Sequence, residues 1–453
     1  MVTKKFDLNF IKNNFKYVIV FFLALFVLTF FGHVNSYDSI WNYGFSYAFA
    51  IGEIPYVDFN MITPGFYSFI MSLGLFISHN NLVILIEQAF LITAVFYIVY
   101  KMYGKMTWLF LFFMSFPRFY AFSLTYNFFI LLLTILIVYL EKKESSDYLI
   151  GFLLGLCILT KHTVGVFLII PSFIFYFKDK KKLFKRFIGC LVPCIIFVIY
   201  LLIIGAFKDF FDLCVLGLFD FASKNSEMVI GYIIGCLLLL VFNILYIVFN
   251  KKDILGYYVI CFFSVMLPIF THYHFCLYLT SCSLLLIAWL KKTRISANYI
   301  GTLGIILTVI TFSFHTLLIP YKFFLKAHNF DYLYVGTMDR VKFNSLNKLY
   351  LKYKNISNTN MVSSISVLVK ISNEDRLDYF MVPLTGNFGY NGTKKMINKV
   401  KNTGRCYYII DMDEYEKTKK HTGQFDVELC DYIINNSELI EKYENYTVYY
   451  YGE

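Results

Sequence analysis

The sequence predicts a membrane all-α protein of about eleven transmembrane helices, with interfacial helices in its first external loop and a C-terminal extracytoplasmic α/β domain. Three observations carry that expectation. The chain is 58% hydrophobic and only 16% charged, where soluble globular chains have about 25% charged residues. Up to residue 320, long apolar runs alternate with short basic loops; beyond it the charged residues rise and the long apolar runs stop. The chain therefore divides into a polytopic part, 1–320, and a tail domain, 321–453. The formal net charge of +11 raises nucleic acid as a partner, but in so apolar a chain the cations mark cytoplasmic loops instead.

The elements follow from apolar length and loop charge. Lys4, Lys5, Lys12 and Lys16 favour a cytoplasmic N-terminus, so a first span at 17–34 runs outward. A span needs roughly 20 apolar residues. Residues 64–78 are short and open on Pro64-Gly65; laying them in the interface puts every strongly basic loop inside. The later spans are then 82–100, 106–117, 124–140, 148–160, 164–177, 187–206, 229–249, 254–270, 276–290 and 299–319. The segment 178–186 (KDKKKLFKR) is the most basic loop of this part, and 207–228 reads as an external amphipathic loop. The first apolar run lacks a small-residue cleavage site and reads as a retained anchor. Together these place the chain as an integral protein of a bacterial plasma membrane.

In the tail, strand-like runs at 331–337, 363–371, 379–384, 406–412 and 446–451 alternate with helical patterns at 393–402 and 426–442, which argues a small α/β domain. Cys406 and Cys430 form a disulfide only if the tail faces an oxidising compartment, and two cysteines do not specify a pairing. Gly386-Asn-Phe-Gly389-Tyr-Asn-Gly392 reads as a strand–helix turn. Glu53 and the Asp411-Met-Asp413-Glu414 cluster read as solvated.

The candidates for chemistry stand at span ends. Asp38 follows the first span at the level of lipid phosphates. It is either a helix N-cap or a general base that takes a proton from an attacking hydroxyl. Asp58 follows Pro55-Tyr56 in a turn; it either binds local backbone amides or orients an acceptor or a metal. Lys161 and His162 fall at an outer face with no acid nearby in sequence. There Lys161 either snorkels to head groups or holds a phosphate as charge develops on it. Arg118 follows the same logic. His272, Tyr273 and His274 open an inward span on that face; with no flanking acids they do not read as metal ligands. Asp209, Asp212 and Asp220 read as the polar face of an interfacial helix.

The stretch GEIPYVDFNMITPGFYSF (52–69) resembles the first external loop of the GT-C superfamily, polytopic transferases that use polyprenyl-phosphate sugars, such as protein O-mannosyltransferases and aminoarabinose transferases. The family pattern is an early Asp, a helix, a Gly-x-x-Pro-Tyr-x-Asp-Phe turn and a Pro-containing interfacial helix. Asp38, residues 39–51, Gly52 to Phe59 and Pro64 onward match it in turn. The Pro117 turn, Lys161 after GFLLGLCILT, and His272-Tyr273-His274 are partial matches. The resemblance is sharp over 38–78 and one of layout elsewhere; Asp38-Ser39 and Thr63-Pro64 stand where many members have an acidic pair and Pro-Pro. It implies an inverting glycosyltransferase with Asp38 as base, Asp58 as a second catalytic candidate, and Lys161, His162, Arg118, His272, Tyr273 and His274 as substrate-binding residues. The donor is a polyprenyl-phosphate sugar, the acceptor an envelope glycan, lipid or protein, and neither metal nor other cofactor is expected. The alternatives are a transporter or flippase of lipid-linked sugars, or a non-catalytic scaffold of the same fold.

Overall fold

The structure, a computed structural model, describes residues 8–30, 37–224, 229–267, 269–318, 323–325, 333–335, 340–353, 355–356, 358–366, 383–420 and 425–452. The bundle begins with α1 (Leu8–Phe30), α2 (Tyr37–Ala50), α3 (Phe66–Leu75), α4 (Asn81–Tyr103) and α5 (Thr107–Ser115). It continues through α6 (Tyr126–Lys142), α7 (Asp147–Thr160), α8 (His162–Phe167), α9 (Ile170–Tyr176) and α10 (Lys180–Ile203). Two short helices follow, α11 (Phe207–Phe211) and α12 (Gly217–Lys224), then α13 (Ile230–Phe249), α14 (Ile254–Phe262), α15 (His272–Leu290) and α16 (Ala297–Leu318).

Among the described residues, five helical stretches are long and apolar enough to cross a membrane unaided: Asn81–Ser115, Lys180–Ile203, Ile230–Phe249, His272–Leu290 and Ala297–Leu317. The first of these covers two expected spans, 82–100 and 106–117, and other expected spans coincide with shorter apolar helices at Asn14–Phe30, Asp147–Thr160, His162–Tyr176 and Ile254–Met266. The ten residues of α3 rise about 15 Å, half the hydrocarbon thickness, which suits an interfacial helix.

Two features pack the bundle more tightly than the sequence suggests. Along α7, Gly151 and Gly155 let the α10 backbone approach. A Cβ on Gly151 would lie 2.1 Å from the Arg186 carbonyl oxygen, and one on Gly155 would lie 2.5 Å from that of Cys190. Small residues four apart serve this purpose where burial from water does not drive helix association. The basic segment 178–186 is also no loop: α10 starts at Lys180, capped by Asp179. Arg186 turns inward and forms a two-pronged pair with Glu141 (2.5 and 2.9 Å) and a bond to Asp147 (3.0 Å). Tyr176 and Tyr258 donate to the same Glu141 carboxylate. Such a planar fork satisfies most of both charges, so the network ties α6, α7, α9, α10 and α14 together.

The tail holds β1 (Phe323–Leu325), β2 (Leu333–Val335), α17 (Arg340–Tyr353), β3 (Thr359–Val362), α18 (Gly392–Asn402), β4 (Cys406–Asp411), α19 (Met412–Lys419), α20 (Val427–Asn435), β5 (Ser437–Tyr443) and β6 (Tyr446–Tyr451). β1 and β2 pair antiparallel; the other four form one sheet in the order β3-β4-β6-β5, parallel only between β3 and β4. Expected strands at 406–412 and 446–451 and the helix at 393–402 match this. The expected helix over 426–442 stops at Asn435, and Ser437–Tyr443 pairs with β6 as a hairpin. Leu439 and Ile440 fit a helical stripe in sequence, but main-chain pairing to the adjacent strand decides their conformation. Of the strand expected at 363–371, residues 363–366 form a turn and the rest lies outside the described residues, as do 379–382. Cys406 and Cys430 are separate buried thiols.

Candidate active site

The turn after α2 is built by its own residues. Gly52 adopts a left-handed φ of +83°, where a Cβ would clash with the backbone, and so ends the helix. The Asp58 carboxylate accepts the Ile54 N–H at 2.7 Å, and the Tyr56 hydroxyl donates to the Thr63 carbonyl at 3.1 Å. Asp58 thus braces the turn. Glu53 is buried, not solvated, at 3% exposure.

This turn folds α2 over a cavity of about 240 Å³. Asp38, Trp41 and Asn42 reach it from α2, and Asn60 and Thr63 from the turn; Tyr126, Lys161, His162 and His274 come from α6, the α7–α8 junction, α8 and α15. Asp38 lies inside the first turn of α2 rather than at its cap, a position that also favours a negative charge. Burial pushes its carboxyl above the ordinary range, and the nearby Lys161 ammonium only partly offsets this.

Lys161 interrupts two helices with extended backbone (φ −150°, ψ 95°), which turns its side chain inward. Its Nζ donates to Asn127 Oδ1 at 2.9 Å and lies 5.6 Å from the centre of the Tyr126 ring. Only 9% of the residue is exposed; this desolvation brings its pKa down to about 8, with Asp38 acting in the other direction. Since Asn127 Oδ1 accepts from lysine, its Nδ2 faces His274 Nε2 as donor (3.4 Å), and His274 Nδ1 is left to donate to Thr271 Oγ1 (3.0 Å). His274 is therefore a neutral imidazole that aims Asn127 at Lys161.

The expected residues separate into two groups. Asp38, Lys161, His162 and His274 line the cavity; Asp58, Arg118, His272 and Tyr273 do not. Tyr273 sits behind the wall, its hydroxyl bonded to that of Thr125. His272 packs on the Tyr120 ring at 4.5 Å, with Arg118 exposed nearby beside Tyr232.

Sequence reading missed Asn127, which is invisible without the α6–α15 contact, and missed the tail's share of the site. Leu384 and Asn387 line the cavity from the tail. The Asn60 side-chain amide donates to the Asn387 carbonyl at 3.1 Å, and the Trp41 indole N–H donates to the Ser364 carbonyl at 3.0 Å. Asp411 and Glu414, read as solvated, are buried: Asp411 accepts from Ser363 Oγ and Glu414 from the Ser364 N–H, so they fix the turn that holds Trp41. Gly386–Gly392 is more than a turn. Gly389 (φ +82°) abuts Asp212 and Gly217, Lys395 bonds Asp212 at 2.5 and 2.6 Å, and Asp220 accepts the Asn391 N–H at 2.5 Å. Asp212 and Asp220 thus clasp the tail. The Oδ1 atoms of Asn42 and Asn387 are buried with no hydrogen-bond partner among the described residues. Among those residues, no three His, Cys, Asp or Glu side chains converge.

No protein-family model matches this chain, and no curated protein sequence does. Its structure is similar to the crystal structure of ArnT from Cupriavidus metallidurans bound to undecaprenyl phosphate. The TM-score is 0.54 at 10% sequence identity, with 96% of each chain covered. The chain thus shares the overall fold of that protein.

Proposed function

We propose that this chain is an inverting glycosyltransferase that takes a sugar from a polyprenyl phosphate and delivers it to an envelope glycan, lipid or protein on the extracytoplasmic face. The observation that carries the reading is one carboxylate and one ammonium, Asp38 and Lys161, on opposite elements of a single largely apolar cavity. The fold neighbour's occupancy by undecaprenyl phosphate supports the donor class.

In this reading the acceptor hydroxyl attacks the anomeric carbon from the side away from the phosphate. The new C–O bond forms as the bond to the phosphate oxygen breaks, inverting the centre. Asp38 takes the hydroxyl proton; a raised carboxyl pKa makes it a better base, as general catalysis requires. Lys161, aimed by Asn127, stabilises the charge that gathers on the departing polyprenyl phosphate. Asn42 and Asn387 offer acceptor oxygens to sugar hydroxyls. The mechanism calls on no metal.

The test is transfer in proteoliposomes supplied with undecaprenyl-phosphate-linked sugars extracted from bacterial membranes. Asp38→Asn should lower transfer by about 10²- to 10⁴-fold, the usual worth of a general base, with protein level unchanged. Undiminished transfer in that variant would remove Asp38 as base. Lipid-linked sugar crossing the bilayer equally in wild type and variant, without transfer in either, would favour the flippase reading.

A further inference from the structure

A second cavity, of about 490 Å³, lies where α4, α6 and α15 end. Lys101, Lys142, Lys143, Lys291 and Lys292 line it, with Tyr103, Tyr139 and one carboxylate, Asp253. α6 and α15 each begin at the Asp38 cavity, with Tyr126 and His274, and finish at this one. The 17 and 19 residues between rise about 25 and 28 Å, close to the thickness of a bilayer's hydrocarbon core. The two cavities therefore sit at opposite interfaces.

Asp253 does not neutralise the cluster. It accepts from the Tyr246 hydroxyl at 2.6 Å and the Leu255 N–H at 3.2 Å, and pairs with Lys142 at 3.4 Å. Glu141, the neighbour of Lys142, is committed to Arg186. Among the described residues, the four other lysines thus share the cavity with no carboxylate of their own. The Tyr103 ring is flanked by Lys142 (5.6 Å) and Lys291 (5.7 Å), and Trp289, in the last turn of α15, is 53% exposed. Aromatic rings and ammonium groups at helix ends are the furniture of a lipid–water boundary, and basic pockets between helices there select anionic head groups.

The geometry points to this cavity as a binding site for the phosphate-bearing head group of an anionic phospholipid, on the face opposite the Asp38 cavity. A free phosphate shares the charge but not the acyl chains, which would lie along the apolar flanks of α4 and α15.

Native mass spectrometry of the full chain in detergent, with added dioleoyl phosphatidylglycerol, dioleoyl phosphatidylcholine or inorganic phosphate, tests it. Phosphatidylglycerol should be retained and phosphatidylcholine should not, and equimolar inorganic phosphate should not displace the bound lipid. Lys101→Gln, Lys143→Gln and Lys292→Gln together spare Lys142, which pairs with Asp253, and Lys291, which donates to the Met102 carbonyl. The amide introduced at 292 can still donate to Asn250 as Lys292 does. These changes should weaken retention at least about tenfold. Gln at Lys180, Lys181 and Lys185 should leave it unchanged. Lys101→Arg, Lys143→Arg and Lys292→Arg together should preserve binding, and the wild-type competition arms stand even if the Gln variant fails to fold. Equal retention of the two lipids, full displacement by phosphate, or unaltered binding by the folded Gln variant would each overturn the assignment.

Discussion

Asp38 and Lys161 share one desolvated cavity, and their ionisation is displaced in opposite directions. Burial raises the Asp38 carboxyl pKa, so the basic carboxylate is lost as pH falls through a value above the ordinary 3.8. Burial lowers Lys161 to about 8, so its ammonium is lost as pH rises through that value. Transfer should therefore follow a bell-shaped pH profile with its alkaline limb near 8. In Lys161→Arg, whose guanidinium stays charged, the residual activity should keep its acid limb while the alkaline limb moves upward. An alkaline limb unmoved in that variant would assign it to another group. His274 works one step further back: His274→Ala should release Asn127 and slow transfer without moving the acid limb.

At the scale of elements, the α7–α10 contact positions Lys161, because Lys161 is the residue on which α7 ends. Gly151→Ala places a methyl group 2.1 Å from a main-chain oxygen, a neighbour that cannot rotate away. The helices must separate, at a cost of about 1–3 kcal/mol typical of overpacking; thermal unfolding in detergent would show this as a lowered midpoint. A midpoint equal to wild type would mean that α7 slides freely on α10. The Arg186–Glu141 pair crosses the same region from the other side. In Glu141→Ala the buried Arg186 loses its two-pronged partner and keeps a single carboxylate bond, to Asp147. Breaking a buried pair costs about 3–5 kcal/mol, so this should be the more damaging change in the same measurement.

Across the whole molecule, the tail is seated on the bundle by the clasp between 207–224 and 386–395, and through Leu384 and Asn387 it completes the cavity wall. Lys395 is half exposed, and an exposed ion pair contributes about 0–1 kcal/mol; Lys395→Ala should scarcely change transfer. Gly389→Val meets both a left-handed φ and the Asp212 side chain. It should unseat the tail, increase proteolysis of the 386–395 segment and reduce transfer. Both readouts unchanged would show that the tail is held elsewhere.

Composition and local pattern determined what depends on short range. The membrane class, the helical segments, the interfacial α3, the turn from Gly52 to Phe59, and the strands at 406–411 and 446–451 are legible because apolar length, alternation and turn residues act within a few positions. Asp38 and Lys161 could be singled out because charges at the ends of apolar runs stand out. Tertiary structure alone decided which of them meet. Lys161, Asn127 and His274 come from the α7–α8 junction, α6 and α15, far apart in sequence, and their shared hydrogen bonds exist only once those elements pack. The same holds for Arg186, which local charge marks as a loop cation and Glu141 draws inside, and for Glu53, Asp411 and Glu414, whose burial depends on distant surfaces. A carboxylate or ammonium is solvated by default; only a partner brought by the fold offsets the cost of taking it out of water.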